Sequence, residues 1–385
     1  MTSEVATAEH RQDPIRHDLG AHARDHVQEQ DQEQDQEQVQ DPGAGPGIEE
    51  SLERYRKELT GYCYRMLGSA FEAEDAVQDT MVRAWRAYDR FEGRSSVRSW
   101  LYRIATNVCL TMLSGSSKRA RPMDLTSPTP HASAVLGPPL AETAWIEPMP
   151  DGRALPQDPA ERAEARESVR LAFVAALQHL APKQRAVLIL REVLAWKASE
   201  VAELLDTTVA SVNSALQRAR ATLAAAGATE SDPSEPLSDD HKALLARYLE
   251  AFESYDMDAL TALLAEDATL SMPPFGLWFR GPADIEAWMV GEGKECRGSR
   301  LIPTSANGCA AFGQYRPDPR GGHSPWALQV IEISGGRVIG INAFLDTARL
   351  FPLFGLPSHL PEAHLPEADF PEADFPEAEP ADEAG

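Results

Sequence analysis

Apolar residues recur at helical spacing from position 52 onward. Leu52, Tyr55, Leu59, Tyr62, Cys63, Met66 and Leu67 predict a first amphipathic helix, which Gly68 ends. Ala76, Val77, Thr80, Met81, Ala84, Trp85 and Tyr88 predict the buried face of a second helix. Val97, Trp100, Leu101, Ile104, Ala105 and Val108 predict that of a third, across a Gly-containing basic loop. The second helix turns Asp75, Gln78, Asp79, Arg83 and Arg86 outward, acid toward its N-terminus and base toward its C-terminus, as the helix dipole favours. The outer side of the third carries Arg98, Tyr102, Arg103, Thr106 and Asn107, with Arg94 in the loop before it and Lys118 and Arg119 after it. Cationic, aromatic and amide side chains on one solvated surface suit phosphate neutralisation and stacking of unpaired bases.

A second helical unit follows. Val169, Ala172, Phe173, Ala176, Leu177 and Leu180 predict one helix; Pro182 opens the next, continued by Val187, Leu190, Val193 and Leu194. Ser199 is placed to cap a short helix holding Val201, Ala202, Leu204 and Leu205 inward, and Asp206-Thr207-Thr208 makes a turn. Val212, Leu216, Ala219 and Leu223 then face inward at helical spacing. This is a helix-turn-helix pattern, whose last helix enters a major groove N-terminus first. It presents Ala210, Ser211, Asn213, Ser214, Gln217 and Arg218 to bases, with Arg220 nearer the DNA backbone. Asn and Gln pair bidentately with adenine, Arg with guanine.

Beyond position 238 the periodicity changes. Helices starting near His241, Asp258 and Pro282 mix with strands at 269–272, 300–303, 310–315, 326–333 and 338–345, the last two joined by a Gly335-Gly336 hairpin signal. In this α+β unit Met272, Phe275, Trp278, Phe279, Trp288, Phe312, Trp326 and Phe344 are expected to line a concave face. Asp267, His323, Asn342 and Asp346 are its polar candidates, and an Asp buried there could act as a base. Aromatics at such spacing are more often core, and an Asp in that place more often caps or ends a strand, so catalysis is not expected; Trp278, Phe312, Trp326, Phe344 and Asp346 are the candidates for a ligand-sensing or docking pocket between those extremes.

The net charge of −24 opposes nucleic-acid binding only if it is evenly spread. Between Arg54 and Arg121 basic residues outnumber acidic ones, and DNA senses charge over a Debye length of about 8 Å. The acid lies at the ends. QEQDQEQDQEQ near the N-terminus cannot bury a core and is expected to be disordered; four proline-bearing pentapeptides, starting at His359, His364, Asp369 and Asp374, form an acidic tail. A Pro-, Ser-, Ala- and Gly-rich linker begins at Pro122, with Trp145 and Ile146 reading as a docking patch within it. The four cysteines show no metal spacing, and Cys63 and Cys109 sit on buried helix faces; a Cys296–Cys309 bridge has no support. No metal or cofactor is expected. No signal region or membrane-length apolar run occurs, so a cytoplasmic protein with no membrane contact is expected.

The runs AEDAVQDTMVRAWR and FEGRSSVRSWLYRIATN resemble region two of extracytoplasmic-function (ECF) sigma factors. LAPKQRAVLILREVLAWKASEVAELL with SVNSALQRAR resembles their region four, although Asn213 and Ala215 stand where the family often has Lys and Arg. MPPFGLWFRGP and WALQVIEISGGRVIGINAFLD are similar to the cone-shaped SnoaL-like cyclases and isomerases, a fold appended to some sigma factors. The resemblance implies a multidomain chain of two all-α sigma domains, a region 2 helical bundle and a region 4 helix-turn-helix, followed by an α+β SnoaL-like domain. Its expected boundaries are a disordered extension at 1–49, region 2 at 50–121, a flexible linker at 122–165, region 4 at 166–226, the SnoaL-like domain at 238–346 and the repeat tail at 347–385. It further implies polymerase binding through Asp75, Gln78 and Asp79. Promoter opening falls to Arg94, Arg98, Tyr102, Arg103, Asn107, Lys118 and Arg119. Upstream-element reading falls to Ser211, Asn213, Ser214, Gln217, Arg218 and Arg220. Core RNA polymerase, promoter DNA and a small-molecule ligand of the last domain are the implied partners, and no catalysis is expected. The rival readings are a polymerase-independent helix-turn-helix regulator, and a cyclase or isomerase fused to a DNA-binding module.

Overall fold

The computed structural model describes residues 48–115, 118–225 and 239–362. The N-terminal repeat, the 227–236 linker and the tail beyond 362 lie outside the described residues.

Helices α1 (Ile48–Leu67), α2 (Ala70–Ala87) and α3 (Val97–Met112) pack as a bundle. Ser69 and Ser96 cap α2 and α3 by accepting the backbone N–H three residues on, and Gly68, at φ 73°, ends α1. The second unit holds α4 (Leu171–Gln178), α5 (Pro182–Leu188) with a π-turn to Val193, α6 (Ala198–Leu204) and α7 (Val209–Ala225). Pro182 takes the first turn of α5 as expected. Ser199 does not cap α6: Lys197 is the cap residue, and its backbone N–H is satisfied by Glu200 at 2.6 Å.

The last unit opens with α8 (Asp239–Ser254) and α9 (Met257–Ala262), and α10 (Pro282–Val290) follows strands β1 (Leu264–Ser271) and β2 (Trp278–Arg280). Strands β3 (Arg300–Ala306), β4 (Cys309–Pro317), β5 (His323–Ser334) and β6 (Arg337–Phe344) complete a six-stranded sheet in the order β2-β1-β6-β5-β4-β3. Only the β1–β6 pairing is parallel. Gly335 and Gly336, both at positive φ, turn the β5–β6 hairpin. Cys296 and Cys309 are free.

Residues alternate across this sheet, and both faces are buried. Phe312, Ala327, Ile331 and Ile341 point into the core of the cone. Ala311, Tyr315, Leu328, Val330 and Phe344 point the other way, into a single core continuous with that of both helical units. Helix α11 (Thr347–Leu353) belongs to this second layer, with Phe351 edge-on to Tyr315 at 5.1 Å. The expected tail boundary at 347 is therefore too early. The first pentapeptide also docks: Leu360 exchanges backbone hydrogen bonds with His323 and is buried.

The 122–165 segment, expected to be flexible, is fastened along its length. Ala120 pairs with Trp145, Pro150 with Ala306, and Trp145, Ile146, Met149 and Leu155 are buried. A few apolar residues and backbone bonds to its neighbours offset the entropy that its composition would otherwise retain.

Candidate nucleic-acid interface

The recognition-helix residues stand as the periodicity placed them. Val212, Leu216, Ala219 and Leu223 are buried, while Ala210, Ser211, Asn213, Ser214, Gln217 and Arg218 are all solvent-exposed along one side of α7. Thr208 Oγ1 accepts the Ser211 N–H at 3.1 Å and caps the helix. Arg220 pairs with Glu192 at 2.6 Å, which fixes it toward the π-turn.

On α2, Asp75 and Gln78 are exposed and Asp79 pairs with Arg83 at 2.8 Å. Trp85 departs from the helical spacing, which assigns it to the buried face: it is 59% exposed, beside the exposed Val82. The two flank a shallow groove with Leu52 and Met81. The outer surface of α2 thus joins acid to an uncovered aromatic.

The third-helix candidates separate into two groups. Arg94, Asn107 and Lys118 are exposed, Arg94 pairing with Glu92. Tyr102 is fully buried, with its hydroxyl donating to Glu58 at 2.9 Å and its ring 5.0 Å from those of Tyr62 and Trp196. Burial pushes the Tyr102 phenol pKa well up, so it stays protonated. Arg98 is held by Glu58 and lies over the Trp196 ring at 5.4 Å. Arg103 donates to the Glu203 carbonyl at 2.9 Å. Thr106, also placed outward, is buried and bonded to Tyr62 at 2.7 Å. Arg119 is buried too, donating to the carbonyls of Glu142 and Trp145 and pairing with Glu72. It is a structural residue of the linker junction.

For Arg98, Tyr102 and Arg103 the physical reason is one contact. Trp196, in the loop before α6, and Glu203, on α6, cover the middle of the α3 outer face, so one helix is buried on two sides. Two buried arginines reinforce the junction. Arg185 donates to the Met66 carbonyl and to Gln178, and Arg65 donates to Ser168 Oγ at 2.6 Å. Burial lowers both guanidinium pKa values to about 10, still charged at neutral pH.

The hairpin tip between β3 and β4 closes the junction. Asn307, 1% exposed and at φ 56°, donates from Nδ2 to Tyr64 Oη and to the Val169 carbonyl, both at 2.6 Å. Its Oδ1 accepts the Met149 N–H at 2.9 Å, and its own N–H reaches the Met149 carbonyl. Gly308 N–H donates to Asp151 Oδ1 at 2.8 Å, and a Cβ at Gly308 would lie 3.0 Å from the Arg166 carbonyl. One side chain therefore touches the first helical unit, the linker and the second helical unit. Periodicity does not mark Asn307, although the dipeptide Asn-Gly between two strands is itself a hairpin signal.

The proposed pocket divides across the sheet. Trp326 lines the cavity inside the cone; Phe312 stacks on Tyr248 in the core, and Trp278 Nε1 donates to Thr126 of the linker. Phe344 and Asp346 line a separate cleft with Trp145 and Glu147, and Asp346 pairs with Arg349 at 3.5 Å. Successive residues on a strand face opposite ways, so Phe344 could not share the side taken by Ala343. Among the described residues no group of three His, Cys, Asp or Glu could hold a metal, and no helix is long and apolar enough to cross a membrane.

Residues 52–119 match the description Sigma-70 region 2, 170–223 Sigma-70 region 4 and 245–341 the SnoaL-like domain. The chain is 47% identical over 319 residues to the ECF RNA polymerase sigma factor SigG of Mycobacterium tuberculosis, covering 80% of this chain and 83% of that protein. The chain belongs to the ECF sigma factors. It is a transcription initiation factor and not an enzyme. SigJ of the same organism is 28% identical over 220 residues, 57% of this chain and 62% of that one. The crystal structure of SigJ shares the fold, at a TM-score of 0.52 and 21% identity over 80% of this chain and 99% of that chain. The three units above are thus region 2, region 4 and a SnoaL-like domain.

Proposed function

We propose that this sigma factor directs core RNA polymerase to promoters in the cytoplasm from an open arrangement, and that the compact arrangement described above is its inactive form. The observation that carries this is the cover of Trp196 and Glu203 on Arg98, Tyr102 and Arg103. Side chains suited to unpaired bases cannot meet them while region 4 lies on top. In the open form, Asp75, Gln78 and Asp79 with Trp85 would meet polymerase. Arg94, Arg98, Tyr102, Arg103, Asn107 and Lys118 would meet the melted promoter strand. Ser211, Asn213, Ser214, Gln217 and Arg218 would read the upstream element, with Arg220 on its backbone.

The SnoaL-like domain would act as the clamp, through Asn307. Replacing Asn307 by Ala leaves Tyr64 Oη, Val169 O and Met149 N without these partners, at about 1–3 kcal/mol for each buried group left unsatisfied. Run-off transcription from one fixed promoter should therefore rise several-fold in Asn307→Ala. Equal transcription by variant and wild type, at matched polymerase occupancy, would sink the proposal.

A further inference from the structure

We propose that the linker between regions 2 and 4 is the lid of a small-molecule site in the cone. We further propose that its ligand is a compact, uncharged molecule with an apolar body and one amide, carbonyl or hydroxyl group. The site is a cavity of about 100 Å³ bounded by Phe252, Met272, Trp288 and Trp326. An apolar cavity of about 150 Å³ holds benzene, so this one suits a guest of about four to six heavy atoms.

Its inner wall carries polar groups that an ordinary core would not need. Tyr248 Oη donates to Gln329 Oε1 at 2.8 Å, Gln329 Nε2 to Gln314 Oε1 at 2.9 Å, and Gln314 Nε2 to Ser299 Oγ at 3.1 Å. Both glutamines are 2% exposed and line the cavity. These bonds use one N–H and one lone pair of each amide, leaving the others to a guest. The charged residues of the wall are Glu292, Glu295 and Arg316; Arg316 pairs with Glu295 at 3.1 Å and stacks over Trp326. Arg316, the one cation of the wall, is already paired with Glu295, so an ion would enter without a free counter-charge, and burying an unpaired charge is prohibitive. The guest is therefore neutral.

One further lining residue, Leu136, comes from the linker. Around it, Thr129 N–H donates to the Trp278 carbonyl at 2.8 Å, His131 pairs with Asp284 at 2.6 Å, and Leu140 N–H donates to the Pro274 carbonyl at 2.9 Å. Ala134 is buried in the cone core, while Val135 is 77% exposed. The strap is held at its ends and at one inward residue, with water on its outer side. A guest beneath it adds contacts to Leu136 and holds it down. The same linker continues to Met149 and Asp151, which meet the Asn307 tip, so by linkage a guest favours the compact arrangement. Only this last step rests on the proposed function; the site itself does not.

Isobutyramide is the probe, with isobutyrate and isobutylamine as charged counterparts, each titrated into the full chain without polymerase or DNA. Calorimetry should show saturable binding of the amide alone. Hydrogen exchange at the Thr129, Ala134 and Leu140 amides should slow several-fold on binding. Gln329→Met should weaken binding at least tenfold. Leu136→Ala, at a part-exposed lining residue whose truncation leaves the cone core intact, should bind the amide without slowing exchange. Absence of amide binding, equal binding of the ions, or binding that leaves the three amides unchanged would each overturn the proposal. Binding and slowed exchange alongside an Asn307→Ala variant that transcribes like wild type would instead fault the inactive-form reading alone.

Discussion

At the scale of single residues, exposure separates side chains available to partners from those spent on the fold. Asp75 is exposed and Asp79 is tied only to Arg83 on its own helix, so reversing both charges should leave helical circular dichroism intact. It should also abolish co-purification with core polymerase; undiminished co-purification would remove both from the interface. Arg218 is exposed on the side of α7 proposed to face bases. A bidentate contact to guanine discriminates by about 1–3 kcal/mol, so Arg218→Ala should relax base preference about tenfold or more at one upstream position. Footprints and base preferences identical to wild type would exclude this docking. Asp151 supplies a pH test. Burial raises its carboxyl from the ordinary 3.8 to about 6, against the opposing pull of Gly308 N–H and nearby arginines. The raised value means that the compact form gains relative stability as pH falls through 6 toward 4, and loses it as pH rises through 6. Two pKa units set an upper bound of ~3 kcal/mol, reduced because Asp151 is only part-buried. Thermal unfolding should show this slope in the wild type and not in Asp151→Asn.

At the scale of elements, α3 shows how a correctly predicted helix acquires a second buried side. Leu101, Ala105 and Val108 are buried as their spacing requires, but Tyr102 and Thr106 are buried as well because Trp196 and Tyr62 pack on the opposite flank. Trp196 is the removable part of that cover. Trp196→Ala should leave region 2 folded, since its own core lies beneath α1 and α2, and should expose Tyr102 to solvent. Faster iodination of Tyr102 in the variant would show the cover lifting; unchanged reactivity would mean that region 4 stays in place without the indole. The β3–β4 hairpin is the complementary element: its strands build the sheet, while its two-residue tip reaches out of the domain.

At the scale of the whole chain, the sheet has no free face. One side encloses the cone and the other completes the core shared with regions 2 and 4. Deleting residues 238–385 should therefore do two things at once. Transcription from a fixed promoter should rise as the clamp is lost, and the exposed helical surface should lower solubility. Unaltered transcription at matched occupancy would argue against any regulatory role for the last domain.

Local spacing along the chain is enough for whatever depends on neighbours a few residues away. The 4-3-4 spacing in α7 fixes which side is buried and so which side is left for DNA, and Pro182, Gly68 and the Gly335-Gly336 pair fix element ends through backbone limits alone. The resemblance of those runs to sigma regions then supplied the family. What the tertiary structure decided is where distant surfaces meet. Tyr102 and Arg98 look solvated until Trp196, far along the chain, is folded onto them; Trp85 reads as core until the bundle leaves it uncovered. Asn307 gains its role only when three units converge on one amide. Periodicity records how a helix or strand divides its own faces, but the choice of partner for each face is a long-range contact. Such contacts are selected by shape and by hydrogen bonds left to be satisfied, and no local spacing carries that information.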